Sequence, residues 1–431
     1  MDKLPALPAT SAKGPETDAG LAFTRNPTPG GIMSTDRRSF IKTVSAVGGA
    51  AGLGVFPGAV AGASMGGTFP LRSPGSVGKA SASLSILILG GTGFTGPEQV
   101  EYAIARGHRV TLFNRNRTRP GMFRGRVEEE LVGDLNDDTS ALAGKRFDVV
   151  IDNPTTFPAW VRNVGRHLAG NVGHYVFIST TSTYADNGII GLNEESPVKT
   201  MPQGLDPYTL DREHASRYYG ELKVRAEQEV ADTYPDRWTV IRPCLIVGPL
   251  DRTDRYTWWP ARINQGGEVL APDQPDGPCQ FIDARDLAEW TVRVAENKVL
   301  GLYNAVGPDH PMTFAHMLYG TRAVTTAGAQ FTWVPWDFLQ EQEVRPWRHM
   351  TTWQPPYGRT AGFQRRSGAK AHAAGLTIRS MAVTARDTLD WHLSRPAEEQ
   401  AATLRGEING IGMEREAQVL AAWHARQRAG G

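Results

Sequence analysis

Residues 84–96 read LSILILGGTGFTG, and this stretch decides the fold. Its first half is apolar almost throughout, which predicts a strand buried in a parallel sheet. Gly90, Gly93 and Gly96 come next, and Pro97 stands near the first turn of a predicted helix. One glycine permits a tight turn, another lets the backbone approach a pyrophosphate, and the third lets the helix pack on the strand. The stretch therefore predicts a dinucleotide site at a helix N-terminus, formed by Gly90, Thr92, Gly93, Phe94, Thr95 and Gly96.

The strands that follow predict which dinucleotide binds there. Residues 109–113 form a second strand, and Arg115 stands just after its end. An acidic residue at this place would bind the adenosine ribose of NAD, whereas an arginine favours the 2′-phosphate of NADP. The sequence therefore predicts NADP, with NAD as the alternative. A third strand ends at Gly133, which predicts that Asp134 and Leu135 lie beside the adenine.

Two more buried strands extend the same pattern, at residues 148–152 and 174–178. Strands that alternate with helical stretches predict an α/β fold, here a Rossmann-type doubly wound parallel sheet. We expect the nucleotide-binding domain to span residues 84–250. A smaller C-terminal substrate-binding region, residues 251–431, would return sheet elements at 279–307 and end in an amphipathic helix.

A candidate catalytic pattern follows the fifth strand. The strand end is rich in hydroxyl groups and includes Thr180, and a helical stretch farther on carries Tyr219 and Lys223. These two side chains are four residues apart, so they share a helix face. A tyrosine is a poor acid or base near neutral pH, and a neighbouring ammonium is expected to lower its pKa. The pattern therefore predicts Tyr219 as general acid/base, and a solvated helix face is the alternative.

Together these features resemble the extended, epimerase/dehydratase-like branch of the short-chain dehydrogenase/reductase superfamily, over roughly residues 84–307. The sequence around Phe113 and Gly133 most resembles that of atypical bacterial members and of chloroplast stem-loop-binding proteins. The resemblance implies that Thr180 polarises a substrate carbonyl or hydroxyl and that Lys223 binds the nicotinamide ribose and tunes Tyr219. It also implies that residues 242–249 flank the nicotinamide, with Pro243 and Ile246 among the cofactor contacts.

Two departures from that family concern the substrate. Thr180 and Tyr219 are 39 residues apart, and the wide gap holds an insertion from Asn187 to Arg212 that could form a lid. An arginine that nucleotide-sugar epimerases usually carry near residues 279–281 is absent here, which puts a UDP-sugar substrate in doubt. Tryptophans and arginines in residues 250–278 and 310–360 suit a small, ring-bearing substrate, and they suit an aromatic core equally well.

The first 83 residues read as targeting sequence rather than as part of the fold. Residues 1–32 show no helical or strand period and are predicted to be a disordered extension. Residues 33–63 resemble a twin-arginine signal peptide, with Arg37 and Arg38 before a weakly apolar run, and residues 64–83 read as a linker. We expect export to the periplasm or beyond through the twin-arginine machinery, with no stable membrane anchor after cleavage.

Composition limits the remaining function classes. The chain of 431 residues carries 46 Lys and Arg against 45 Asp and Glu, so its net charge of +1 gives no sign of a polyphosphate partner. Two cysteines cannot form a thiolate zinc site, and no histidine pair has metal spacing. The sequence favours an enzyme acting on a small molecule, without a nucleic acid partner. A non-catalytic nucleotide- or RNA-binding protein and a dehydratase or isomerase with retained cofactor remain as alternatives.

Overall fold

The computed structural model describes residues 77–430, and the predicted extension and signal peptide lie outside this part of the chain. The strands, in chain order, are β1 Ser85–Leu89, β2 Arg109–Asn114, β3 Glu129–Val132, β4 Phe147–Asp152, β5 Val172–Ile178, β6 Trp238–Pro243, β7 Leu245–Val247, β8 Gly267–Pro272, β9 Phe281–Asp283, β10 Gly301–Ala305 and β11 Ala329–Val334. The α-helices are α1 Gly96–Arg106, α2 Pro158–Leu168, α3 Arg212–Ala215, α4 Tyr219–Thr233, α5 Trp258–Ile263, α6 Ala284–Asn297, α7 Phe314–Ala323, α8 Trp336–Glu341, α9 Ala369–Ala373, α10 Met381–Ser394, α11 Ala397–Leu404 and α12 Met413–Gly430.

A seven-stranded parallel sheet forms the centre of the described residues, in the order β10-β6-β5-β4-β1-β2-β3. Side chains along β1 alternate between two cores. Ile86 and Ile88 pack with helices α1 and α6 on one face, while Leu87 and Leu89 pack with α2 and α4 on the other. Because both faces are covered, the strand is apolar almost throughout. The predicted doubly wound α/β fold is confirmed.

The C-terminal region forms a third, aromatic core. The parallel pair of β8 and β11 and helices α5, α7, α8 and α10 pack around buried rings such as Trp259 and Trp353. Helix α12 docks on this core through Val419 and Leu420 and through a buried ion pair between Arg262 and Glu416. Most of the tryptophans in residues 310–360 thus belong to the core. The sequence had left two roles open for them, in the core or in ligand binding.

The sheet topology positions the candidate site. All seven strands run parallel, so the loops that follow β1, β2, β3, β4, β5 and β6 leave at the same edge. The strand order changes direction at β1 and β4, and ligands of open α/β sheets bind in the crevice at such a point. The glycine-rich loop, the hydroxyl-rich end of β5 and the start of α4 therefore meet at one place.

Candidate active site

A groove runs along this edge, from the glycine-rich loop to the ends of β2 and β3. Its lining residues include Gly90, Thr92, Gly93, Phe94, Thr95, Arg115, Asp134, Leu135, Asn153, Pro154 and Trp160. All but the last three were predicted from the sequence as cofactor contacts. Asn153, Pro154 and Trp160 come from the β4 end and α2, and the sequence had no local pattern that marked them.

Two glycines of the loop are required by its geometry. Gly90 has a φ of +77°, a left-handed conformation that L side chains rarely adopt. Gly96 does not line the groove but lies against the loop, and a Cβ there would be 2.4 Å from the carbonyl oxygen of Gly90. At Gly93, by contrast, a Cβ would meet only that oxygen, at 3.4 Å, and would otherwise occupy the groove. The loop therefore leaves room for a pyrophosphate at the N-terminus of α1, and the residues present fit a dinucleotide.

Charged side chains surround the groove at both ends. Arg115 lies 3.9 Å from Asp134, measured from Nη1 to Oδ2, beside the ends of β2 and β3. Arg119 donates from Nη1 to the carbonyl oxygens of Thr92 at 3.1 Å and Gly93 at 2.7 Å. Burial and the nearby charge of Arg252 lower the pKa of Arg119 to about 10, so it stays cationic near neutral pH. Arg119 was missed in the sequence because nothing in its neighbourhood indicates contact with a loop 26 residues earlier.

Thr180 and Tyr219 meet in the interior beyond the end of β5. Thr180 precedes a 3₁₀ turn at Thr181–Thr183 and accepts a hydrogen bond from the backbone N–H of Ser182, at 3.1 Å. Tyr219 opens α4, is 5% exposed and shares a hydrogen bond with the Thr180 side chain. Helix α4 can approach this turn because position 220 is glycine: a Cβ there would lie 2.3 Å from the Ser182 carbonyl oxygen.

Lys223 lies one helical turn farther along α4 and is held at the sheet edge. Its ammonium donates to the carbonyl oxygens of Thr155, at 2.6 Å, and Ile178, at 2.7 Å, and it lies over the ring of Phe177. Thr155 follows Pro154 of the groove lining, so the ammonium sits directly behind the dinucleotide groove. Burial lowers the pKa of Lys223 to about 8, while the charges of Asp152 and Glu227 oppose this shift.

The electrostatics of Tyr219 differ from the sequence prediction. Burial raises its pKa above the usual value, and the hydrogen bond with Thr180 and the charge of Arg255 act in the opposite direction. Within residues 77–430, the cation that acts on the Tyr219 hydroxyl is thus Arg255, whereas the Lys223 ammonium is bonded to two backbone carbonyls. Lys223 is not among these causes, so the tuning of Tyr219 by Lys223 stays a prediction.

Arg255 is buried just beyond the β7 end, at 5% exposure, and no acceptor contacts its Nε atom. Burial lowers the pKa of Arg255, and the charge of buried Asp251 partly opposes this shift. Because a guanidinium stays protonated at any physiological pH, it places a lasting positive charge beside Tyr219. The sequence indicated Arg255 only as part of a substrate-facing stretch, without a role.

A small chamber lies in front of Thr180. Strand ends and two distant segments of the chain line it, through Thr180, Thr181, Ser182, Cys244, Leu245, Gln280, Trp347, Phe363, Gln364 and Arg366. Pro243 and Ile246, predicted as cofactor contacts, stand on either side of the lining residues Cys244 and Leu245, and both are buried. The predicted insertion contributes to the wall: the N–H of Gly362 bonds to the Asn187 carbonyl at 2.8 Å, and that of Gly191 to the Arg365 carbonyl at 2.9 Å.

Two features are absent from the described residues, 77–430. No helix among them is sufficiently long and apolar to span a membrane. No group of three or more His, Cys, Asp or Glu side chains in that part of the chain could hold a metal ion.

Comparison with known proteins identifies related sequences. A model of the NAD dependent epimerase/dehydratase family matches residues 86–305. Among curated proteins, the chain is similar to the chloroplast stem-loop binding protein of 41 kDa b of Arabidopsis thaliana, with 28% identity over 234 residues. This match covers 51% of the chain and 57% of the plant protein, so it spans little more than half the length of that relative.

Solved structures share the fold. The chain is similar to a UDP-glucose 4-epimerase, with a TM-score of 0.53 and 17% identity, covering 73% of this chain and 98% of the other. It is also similar to the Bordetella bronchiseptica enzyme WbmF, crystallised with NAD⁺ and UDP, with a TM-score of 0.50 and 14% identity over 75% of this chain and 96% of the other. At such identities the likeness concerns the fold alone.

Proposed function

Because the chain belongs to the NAD dependent epimerase/dehydratase family, we propose that it is an NAD(P)-dependent oxidoreductase or epimerase. Its substrate would be a small carbonyl or alcohol compound that could carry a ring. The observation that carries this proposal is the buried hydrogen bond between Tyr219 and Thr180, one turn from a lysine fixed behind the dinucleotide groove. A phenol and a hydroxyl that share a hydrogen bond at this place can bind the oxygen of a reacting carbon.

Each side chain has a distinct part in the proposed reaction. Thr180 and Tyr219 bind the substrate oxygen, and Tyr219 gives it a proton or takes one from it. Because burial keeps the phenol protonated near neutral pH, Tyr219 is set up as the acid, and Arg255 stabilises the phenolate left after proton transfer. Lys223 holds the ribose next to the nicotinamide. When bound, the cofactor supplies the oxidation and reduction of the substrate carbon.

The test compares Tyr219→Phe with Tyr218→Phe in cofactor-dependent turnover. Tyr218 is the adjacent phenol, and it lies outside the pair with Thr180. The Tyr219 variant should lose about 10²–10⁴-fold in kcat with unchanged affinity for the dinucleotide, and the Tyr218 variant should retain turnover. Undiminished turnover by Tyr219→Phe would remove the assignment.

We propose NADP as the preferred dinucleotide, because Arg115 lines the adenosine end of the groove and the β2 end carries no acidic residue. NADPH should raise the melting temperature more than NADH does. Arg115→Gln should erase that difference, whereas Arg124→Gln, which removes an exposed charge outside the groove lining, should keep it. Equal stabilisation of the unaltered protein by both dinucleotides would refute the preference.

The family match supports one of the two alternative functions inferred from the sequence better than the other. A non-catalytic RNA-binding role is not favoured, because the family match is to NAD-dependent epimerases and dehydratases. A dehydratase or isomerase that retains its cofactor stays within the family, and a dinucleotide that survives purification would support it over simple reduction. Absorbance and mass of any bound dinucleotide separate these cases.

Export through the twin-arginine pathway is also a proposal, supported by the sequence of residues 33–63. Cell fractionation should find the processed protein outside the cytoplasm, and Arg37→Lys/Arg38→Lys should retain it inside. Processed protein found only in the cytoplasm would contradict the proposal.

A further inference from the structure

The chamber in front of Thr180 is rich in donors and has no acid in its lining. Besides the hydroxyl groups of Thr180, Thr181 and Ser182, it is lined by the polar groups of Gln280, Gln364, Trp347 and Arg366. The two glutamines are bonded to protein groups, since Gln364 accepts from the Gln280 backbone N–H at 2.9 Å and donates to the Thr352 carbonyl at 2.7 Å. Trp347 and Arg366 each keep a donor that no protein acceptor contacts.

Arg366 is a buried cation without a counter-ion. It is 6% exposed, and no carboxylate lies within 4 Å of it in the described part of the chain. Its Nη2 donates to Asn187 Oδ1 at 2.8 Å and its Nη1 to the Phe363 carbonyl, but its Nε has no acceptor. Burial lowers its pKa to about 10, so it remains charged near neutral pH. An uncompensated buried charge is costly to a fold, which makes a role for it in ligand binding a natural expectation.

Trp347 presents a second donor at the same wall. Its indole Nε1 is buried and has no acceptor, although buried indoles usually find one. The backbone of Trp347 has a φ of +64°, which is an outlier for a bulky residue, so neighbours must hold it there. Its ring packs edge-on against Phe363, with centroids 4.8 Å apart, and the Arg366 guanidinium lies 4.7 Å from the centre of that same ring. The two free donors are thus fixed relative to each other.

We propose that this wall binds an anionic group of the substrate, a carboxylate or a phosphate ester, through Arg366 and the indole of Trp347. Such a group offers acceptors and forms the strongest hydrogen bonds with charged donors, so its chemistry matches the two unpaired donors. The inference rests on the proposed function, because it takes the reacting carbon to lie at Thr180, which lines the same chamber. The substrate class is therefore an acidic one, such as a uronate or a sugar phosphate, and not a neutral sugar.

The size of the chamber adds a condition on entry. Its volume is about 20 Å³, which is room for roughly one water molecule. Because this room is smaller than a sugar ring, the proposal requires the segment from Trp347 to Arg366 to move outward when the substrate binds.

Calorimetric titration tests the assignment with three matched probes: glucuronate, glucose 6-phosphate and glucose. Each is added to the full chain, with and without saturating NADP⁺. One of the anions should bind more tightly than glucose, and Arg366→Gln should weaken that binding about tenfold or more. Trp347→Phe, which removes only the indole and its N–H, should weaken it several-fold and guards against misfolding of the arginine variant. Arg359→Gln, which removes an exposed charge outside the chamber lining, should bind like the unaltered protein.

The outcomes distinguish this inference from the proposed function. Preference for glucuronate identifies a carboxylate, and preference for glucose 6-phosphate identifies a phosphate ester. Glucose bound as tightly as the anions, no binding of either anion, or unchanged anion binding by both Arg366→Gln and Trp347→Phe overturns the inference. If the unaltered protein bound the anions but did not bind NADP⁺, that result would count against the proposed function alone.

Discussion

Glu98→Gln should make the protein more stable above neutral pH. Glu98 lies in the first turn of α1, is 8% exposed and stands one turn past the glycine-rich loop. Burial, followed by the charge of Asp283, raises its pKa from 4.5 to about 7, while Arg285 and Arg379 oppose the shift. The folded protein thus holds this proton to a higher pH than the unfolded chain does.

The sign and size of the effect follow from that difference. A carboxyl whose folded pKa is raised contributes stability that is fully present below pH 4.5 and is lost as pH rises through about 7. A shift of this size corresponds to about 3 kcal/mol in the free energy of unfolding, as an order of magnitude. The glutamine amide of the variant stays neutral throughout, so the variant should keep that stability at alkaline pH.

Urea unfolding at about pH 5 and about pH 8 measures the effect. The unaltered protein should lose stability between the two conditions relative to Glu98→Gln, and the variant should be the more stable at the higher pH. Glu195→Gln removes the same charge from an exposed loop and should leave the pH profile unchanged. Parallel profiles for Glu98→Gln and the unaltered protein, or a less stable variant at the higher pH, would refute the reasoning.

Two further predictions concern the dinucleotide. The pKa of Lys223 is lowered to about 8, so its positive charge is lost as pH rises through that value. The affinity of the unaltered protein for NADPH should therefore fall in that pH range. The Lys223→Met variant should bind NADPH weakly at every pH and lack that fall. Fluorescence titration of NADPH across this range measures it, and an identical alkaline step in the variant would contradict the assignment. Gly96→Ala should lose dinucleotide binding and about 1–3 kcal/mol of stability, because its Cβ would overlap the loop, whereas Gly170→Ala meets nothing within 4 Å and should do neither. Thermal melts with and without NADPH report both effects.

The sequence predicted those parts of the fold that depend on local patterns. The apolar run of β1, the glycines after it and the end of α1 at Gly107, which has a φ of +94°, are each dictated by residues adjacent in the chain. The structure places these elements within about two residues of the predicted bounds. The groove residues Arg115, Asp134 and Leu135 followed for the same reason, since they stand directly after strands whose direction the fold already fixed.

What the sequence could not predict depends on contacts between distant segments. Trp347 and Arg366 line the chamber from a region in which the sequence showed no family pattern. Their role can be inferred only from their position beside Thr180, which lies more than 160 residues earlier in the chain. The place where the Lys223 ammonium binds could not be predicted for a related reason. Spacing on a helix shows which side chains share a face, but the carbonyl of Thr155, on another strand end, decides where the ammonium binds.

A chain with a net charge of +1 thus holds two buried arginines near its candidate site. Charges on the surface are screened by water, whereas Arg255 and Arg366 are buried in a medium of lower dielectric and lack ion-pair partners in the described residues. The charge of Arg255 therefore acts on the Tyr219 hydroxyl as well as on the Asp251 carboxylate, and Arg366 lines the chamber. If Arg255 stabilises the phenolate and Arg366 binds the anion, replacing each arginine with a neutral residue should change a different kinetic property of the enzyme. Arg255→Met should shift the pH profile of kcat, because the phenolate loses a cation that stabilises it, while Arg366→Gln should raise KM at an unshifted pH profile.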